Sequence, residues 1–154
     1  MSQGKIEQFE KMLEKDPDNK EILTELGMEY LNQENYELAE KTWKKAGNLG
    51  SSEAMYNLGV LYGMVYLQDI AEDELWEDHS DEEMWFEKAE IAYQDALDID
   101  PKNIHAMKNL ATLYMERGQR EDALTLLKKI LQYCSDEDFR KKVEEEIKDI
   151  ENLS

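Results

Sequence analysis

The chain has 154 residues, 41% hydrophobic and 36% charged, with two prolines and seven glycines, a composition that favours a helical protein with a core over a disordered chain. Its 37 acidic and 18 basic side chains give a net charge of −19, which argues against a surface built for nucleic-acid phosphates or anionic membranes. One cysteine and two histidines exclude an internal disulfide and a Cys/His zinc site.

The first predicted element is an amphipathic helix within residues 5–17. Its apolar residues recur at helical spacing, and they are Ile6, Phe9, Met12 and Leu13. The Asp-Pro-Asp-Asn stretch at residues 16–19 then ends the helix, because proline and the short polar side chains favour a turn.

Residues 20–51 predict a pair of antiparallel helices joined by a short polar turn. Both helices have core residues at helical spacing, and these are Ile22, Leu23, Leu26, Tyr30 and Leu31 in the first and Tyr36, Ala39, Trp43 and Ala46 in the second. Gly27 lies inside the first stripe at a cost of about 1 kcal/mol relative to alanine. We therefore expect Gly27 to let the other helix come close.

The first helix of this pair carries a signature that occurs twice more. The three copies are Leu23-x-x-Leu26-Gly27-x-x-Tyr30, Met55-x-x-Leu58-Gly59-x-x-Tyr62 and Met107-x-x-Leu110-Ala111-x-x-Tyr114. The second helices are marked by Ala39, Ala89 and Ala123. Signature leucine and alanine are 13 residues apart in the first and third copies but 31 apart in the second, so the middle repeat, residues 52–101, has 18 extra residues.

The extra residues form an acidic insert at about 64–81, with seven acids and no lysine or arginine. Its beginning continues the helix that starts near Ser52, and Ser80 with Glu83 forms a capping box that predicts a new helix from Asp81. We favour a structural role, a lengthened hairpin. A second interface for a basic partner, formed by Trp76, Glu77, Asp78 and His79, ranks next, and a metal site last because the insert has no glycine for a calcium loop.

The third repeat spans residues 104–134 and turns at Arg117-Gly118-Gln119. A last amphipathic helix follows within residues 136–153, opened by Ser135-x-x-Asp138, and its charged outer face is typical of the end cap that stacked repeats need.

The repeat resembles the tetratricopeptide (TPR) signature, W-x-x-L-G-x-x-Y followed by A-x-x-x-F and P. The matches are Leu26, Gly27, Tyr30, Ala39 and Trp43; Leu58, Gly59, Tyr62, Ala89, Tyr93 and Pro101; and Leu110, Tyr114, Ala123 and Leu127. Residues 5–17 fit a preceding half repeat, and the junction of the first and second repeats resembles SEL-like repeats. The resemblance implies one all-α domain, a right-handed α-solenoid of antiparallel helix pairs.

The same resemblance implies a concave groove that is lined by the first helices and binds a peptide or protein segment. The lining positions would be Glu21, Thr24, Met28, Leu31, Glu53, Tyr56, Val60, His105, Lys108, Thr112 and Met115. Family members that clamp a C-terminal carboxylate use lysine, arginine and asparagine at matching positions. Only Asn57 agrees here, so we do not expect a carboxylate clamp.

No phosphate-binding loop and no nucleophile beside a histidine is present in the sequence, and we expect a non-catalytic interaction module or adaptor without cofactor or metal. A small acidic secretion-type or co-chaperone protein is the first alternative, and a cation-binding or enzyme-regulatory protein acting through the insert is the second. The partner we expect is another protein or peptide, and a basic one suits the net charge. Because no signal-like or membrane-spanning apolar run is found, we expect a cytoplasmic protein.

Overall fold

A computed structural model describes residues 2–72 and 80–153, and within these ranges every regular element is a helix. The eight helices are α1 (Ser2–Lys15), α2 (Lys20–Asn32), α3 (Tyr36–Asn48), α4 (Ser52–Glu72), α5 (Ser80–Ile99), α6 (Ile104–Glu116), α7 (Arg120–Tyr133) and α8 (Glu137–Glu151). None of the described helices combines the length and apolar character needed to cross a bilayer.

Short polar side chains fix where several helices begin. Asn19, Asn35 and Asn103 each accept a hydrogen bond from the backbone N–H three residues on, at 3.0 to 3.2 Å. Ser51 does the same for α4, and Asp136 rather than the expected Ser135 does so for α8. Such caps satisfy a backbone donor that would otherwise have no partner, which is why the predicted turns and the observed helix starts agree.

The chain divides into two compact units, residues 1–100 and 101–154, and the division falls at the predicted end of the second repeat. That both units belong to one domain stays a prediction.

In the first unit, consecutive helices pack on one another from α1 to α5, and α2 also contacts α4. The predicted core alanines and Trp43 are buried, whereas two residues of the predicted stripes are exposed: Met12 is 40% exposed and Tyr36 is 51% exposed. Tyr36 is the first residue of α3.

Two glycines set the distance between helices in this unit. A Cβ placed on Gly27 would lie 2.3 Å from Nε1 of Trp43, and one placed on Gly59 would lie 2.4 Å from Cε1 of Tyr93. Both distances are far shorter than a van der Waals contact. Only a glycine therefore leaves room for the aromatic ring of the second helix, which packs directly against the glycine backbone. The expected close approach at Gly27 is confirmed, and the ring that uses it is Trp43.

The two helices on either side of the acidic insert, α4 and α5, are longer than those of the first repeat. The beginning of the insert extends α4 to Glu72, as predicted, and α5 starts at Ser80, within one residue of the predicted start. Helices α4 and α5 have 21 and 20 residues, against 13 in α2 and α3.

In the second unit, α6 packs on α7, and α8 packs on α7. Met107, Leu110, Leu127, Ile130 and Val143 are buried between them. The arginine of α8, Arg140, donates hydrogen bonds to the carbonyl oxygens of Leu131 and Cys134 at the end of α7. The last helix therefore satisfies backbone acceptors that the end of α7 leaves open.

Candidate functional site

In the first unit, the predicted groove residues of α2 and α4 form one candidate binding face. Met28 is 38% exposed, and Leu31, Tyr56 and Val60 are half-buried. Glu21 and Glu53, at the starts of α2 and α4, are exposed. Since α2 and α4 are in contact, apolar side chains that are open to a partner lie on neighbouring helices, with carboxylates at one end of each.

Thr24 was predicted for the same face but is only 5% exposed. Its hydroxyl donates to the carbonyl oxygen of Lys20 at 2.7 Å and accepts from the hydroxyl of Ser51 at 2.8 Å. The Thr24 carbonyl accepts from Nε1 of Trp43 at 2.9 Å. These bonds use the polar groups of Thr24 to hold α2 against α3 and the start of α4, which leaves little of its surface for a partner.

Asn57 lies on α4 between Tyr56 and Leu58 and is 8% exposed. Its Nδ2 is buried and donates to no acceptor among the described residues. Buried amide groups are nearly always hydrogen-bonded, because an unpaired one costs about 1–3 kcal/mol. Because this donor is enclosed, a partner can reach it only if neighbouring side chains move.

The second unit contributes the predicted positions of α6. His105 and Thr112 are exposed, and Met115 is half-buried. Lys108 is engaged by α8, because its Nζ lies 2.9 Å from Oε2 of Glu146. An ion pair between half-buried groups is screened less than one at the surface, so a partner that binds Lys108 must first displace Glu146.

A second concave region, which the sequence did not reveal, lies between α3, α4 and α5. It is a cavity of about 360 Å³ lined by Lys44, Asn48, Met55, Leu58, Tyr62, Lys88, Ile91, Ala92 and Asp95. The Nζ of Lys88 lies 4.7 Å from the ring centroid of Trp85 and 5.5 Å from that of Tyr62. Only the register of α5 on α4 brings Lys88 to Tyr62, and the length of the insert hides that register in the sequence.

Burial changes the acid–base behaviour of two groups at this cavity. Burial and then the negative charge of Glu40 raise the pKa of Tyr62 above its ordinary value. Burial and then the neighbouring carboxylate of Asp98 raise the pKa of Asp95. The hydroxyl of Tyr62 therefore keeps its proton to a higher pH than usual. The negative charge of the Asp95 carboxylate is disfavoured by its partial burial and by the nearby Asp98.

The proposed second interface, Trp76, Glu77, Asp78 and His79, lies outside the described residues. Within residues 2–72 and 80–153, no three histidine, cysteine or acidic side chains come together as metal ligands.

The antiparallel helix pairs of α2 with α3, α4 with α5 and α6 with α7 define a helix-pair repeat protein. Two tetratricopeptide repeat models match the sequence, one over residues 9–41 and the other over residues 86–138, together more than half of the chain. The protein belongs to the tetratricopeptide repeat family. Repeats of this family generally form non-catalytic modules for protein–protein interaction.

Solved structures of TPR proteins share this fold. The TPR domain of Arabidopsis OM64 superposes with a TM-score of 0.61 at 16% identity, over 84% of this chain and 94% of that one. A TPR protein from Thermus thermophilus superposes with a TM-score of 0.67 at 20% identity, over 94% of this chain and 70% of that one. At these identities the likeness establishes the fold alone, and it confirms the predicted all-α solenoid of helix pairs. A comparison with curated protein sequences gave no match.

Proposed function

We propose that this protein is a non-catalytic adaptor that binds a peptide or an extended protein segment on the first helices of its repeats. The observation that carries the proposal is the α2 and α4 face, where the apolar side chains of Met28, Leu31, Tyr56 and Val60 are partly open to solvent. Burial of these side chains by a partner supplies affinity, because apolar area removed from water is favourable.

The charge at this face favours a basic segment. Glu21 and Glu53 are exposed at its edge, and the chain as a whole has a net charge of −19. A field of that sign speeds the approach of cationic segments and slows that of anionic ones. The expected partner therefore combines large apolar side chains with lysine or arginine.

The proposal treats the chain as one TPR-like domain with the repeat boundaries given above, and it places the protein in the cytoplasm. His105, Thr112 and Met115 on α6 are partner-contacting candidates in the second unit, while the roles of secretion-type chaperone and of cation binding through the insert remain alternatives. No contact among the described residues favours either alternative over the interaction module.

Selection of peptides from a display library on the purified protein, followed by affinity measurement, tests the proposal. The changes Met28→Lys and Tyr56→Lys each place a cation where an apolar, basic segment should bind. We expect each to weaken the selected peptides at least about tenfold, since a tenfold loss corresponds to about 1.4 kcal/mol.

The matched control is Tyr36→Lys, which adds the same charge at an exposed tyrosine on the second helix of the same repeat. This control removes the general effect of net charge from the comparison. Far-UV circular dichroism of each variant confirms that it is folded. Equal weakening by all three changes, or unaltered affinity of Met28→Lys and Tyr56→Lys, would refute the face as the binding site.

A further inference from the structure

The cavity between α3, α4 and α5 faces away from the proposed peptide-binding face. Successive residues of an α-helix are about 100° apart around its axis. Leu58 and Tyr62, which line the cavity, are therefore centred roughly 160° from Tyr56 and Val60 around α4. The two regions lie on opposite sides of the same helix, and an occupant of the cavity needs a recognition chemistry of its own.

The ammonium groups of Lys88 and Lys44 at the cavity favour an occupant with a negative charge. Lys88 approaches the rings of Trp85 and Tyr62, and no carboxylate of the described residues forms an ion pair with it. Lys44 lies across the cavity from α5 and pairs with Glu40 at 2.8 Å, one turn back on its own helix. Among the described residues, the contacts of the half-buried Lys88 are with aromatic faces, and an external anion can supply the negative charge that these faces lack.

Apart from Asn48, the lining between the lysines and the carboxylate of Asp95 is mostly apolar. Leu58, Met55 and Ala92 line the cavity between the lysines and Asp95. Asp95 is seven residues from Lys88 on α5, which places it about 10 Å further along the helix. A ligand with one negative charge at the lysine end and an apolar body fits this gradient, whereas a second negative charge would meet the carboxylate of Asp95.

We propose that this cavity binds a small amphipathic organic monoanion, a carboxylate attached to an apolar ring or short chain. The carboxylate lies between Lys88 and Lys44, and the apolar body covers Leu58 and Ala92. A volume of about 360 Å³ is within the range of small-molecule sites, and a mostly apolar lining with a few polar groups is their usual composition. The site is independent of the peptide-binding proposal and lies in residues that proposal does not use.

Phenylbutyrate is a suitable probe, and its neutral amide, phenylbutyramide, isolates the contribution of the charge. Titration of the isotope-labelled full chain, followed by amide NMR shifts, should show saturable changes at Leu58, Tyr62 and Lys88. The amide should bind at least about fivefold more weakly than the acid, because its neutral carbonyl forms no ion pair with the lysines.

Three substitutions complete the test. Lys88→Gln should weaken phenylbutyrate binding about fivefold, and Lys88→Arg, which keeps the positive charge over the rings, should weaken it less. The matched control Lys41→Gln removes an exposed lysine of α3 that does not line the cavity and should leave the affinity unchanged.

Several results would overturn the proposal. These are equal binding of acid and amide, equal affinity of Lys88→Gln and Lys41→Gln, shifts centred on Tyr56 and Val60, or no saturable shift. Because the peptide test uses the opposite face of α4, either proposal can fail while the other stands.

Discussion

Alanine at Gly59 should destabilise the protein, although alanine is the better helix former. The added Cβ would lie 2.4 Å from Cε1 and 2.5 Å from Cδ1 of Tyr93, so the ring or one helix has to move. Tyr93 is 4% exposed and has little room to do so. Overpacking of this kind costs about 1–3 kcal/mol, against a propensity gain of about 1 kcal/mol for replacing glycine in a helix.

Gly63, one turn further along the same helix, provides the matched control. A Cβ at Gly63 would lie 3.9 Å from the hydroxyl of Tyr93, an ordinary contact. Both substitutions gain the same helix propensity, so the difference in unfolding free energy between Gly59→Ala and Gly63→Ala isolates the clash. We expect Gly63→Ala to be about 1–3 kcal/mol more stable than Gly59→Ala.

Tryptophan fluorescence during urea unfolding measures this difference in the relevant unit, because all three tryptophans precede residue 101. The Cβ clash acts only in the folded state, so the slope of free energy against urea should be unchanged and the midpoint should shift. If the two variants unfold at the same urea concentration, Tyr93 does not lie on Gly59, and the glycine-and-ring account of the helix spacing is wrong.

Two further predictions concern a helix cap and a buried tyrosine. Gln119 is the N-cap of α7 and its side chain makes no capping hydrogen bond, so Gln119→Asn should stabilise the second unit by about 0.5–1 kcal/mol. At α6, where Asn103 does make this bond, Asn103→Gln should destabilise the unit. Thermal unfolding followed by far-UV circular dichroism measures both changes. Because the pKa of Tyr62 is raised on folding, its stabilisation is complete below the ordinary tyrosine pKa of about 10 and is lost as the pH rises through the raised value. As the pH rises above about 10, the urea midpoint of Tyr62→Phe should therefore fall less than that of the wild type. If the two midpoints fall equally with pH, the pKa of Tyr62 is not raised on folding.

The helices and the family could be read from sequence because both rest on local, repeated patterns. Apolar residues at helical spacing placed the elements, and short polar capping side chains placed their starts. The close approach at Gly27 was also readable, since a glycine inside a helix needs a reason. The identity of the ring was not, because Trp43 reaches Gly27 only through the packing of α2 on α3.

The candidate sites depended on contacts distant in sequence, and there the prediction was weaker. Thr24 was placed on the binding face by repeat position, yet a hydrogen bond to Ser51, 27 residues away, holds it inside. Lys108 was placed likewise, and Glu146 of the last helix engages it. The cavity beside Lys88 gave no sequence signal at all, because a lysine that meets two rings has the same local pattern as any solvated lysine.

The pairing of a glycine with a ring has an evolutionary consequence. The first two repeats place glycine opposite tryptophan or tyrosine, whereas the third has Ala111 on the first helix and Leu127 in the corresponding register of the second. A larger residue on one helix thus accompanies a smaller one on the other, with the separation of the helices kept. Among relatives of this protein, positions 59 and 93 should change together, because either change alone passes through an overfilled or a hollow core.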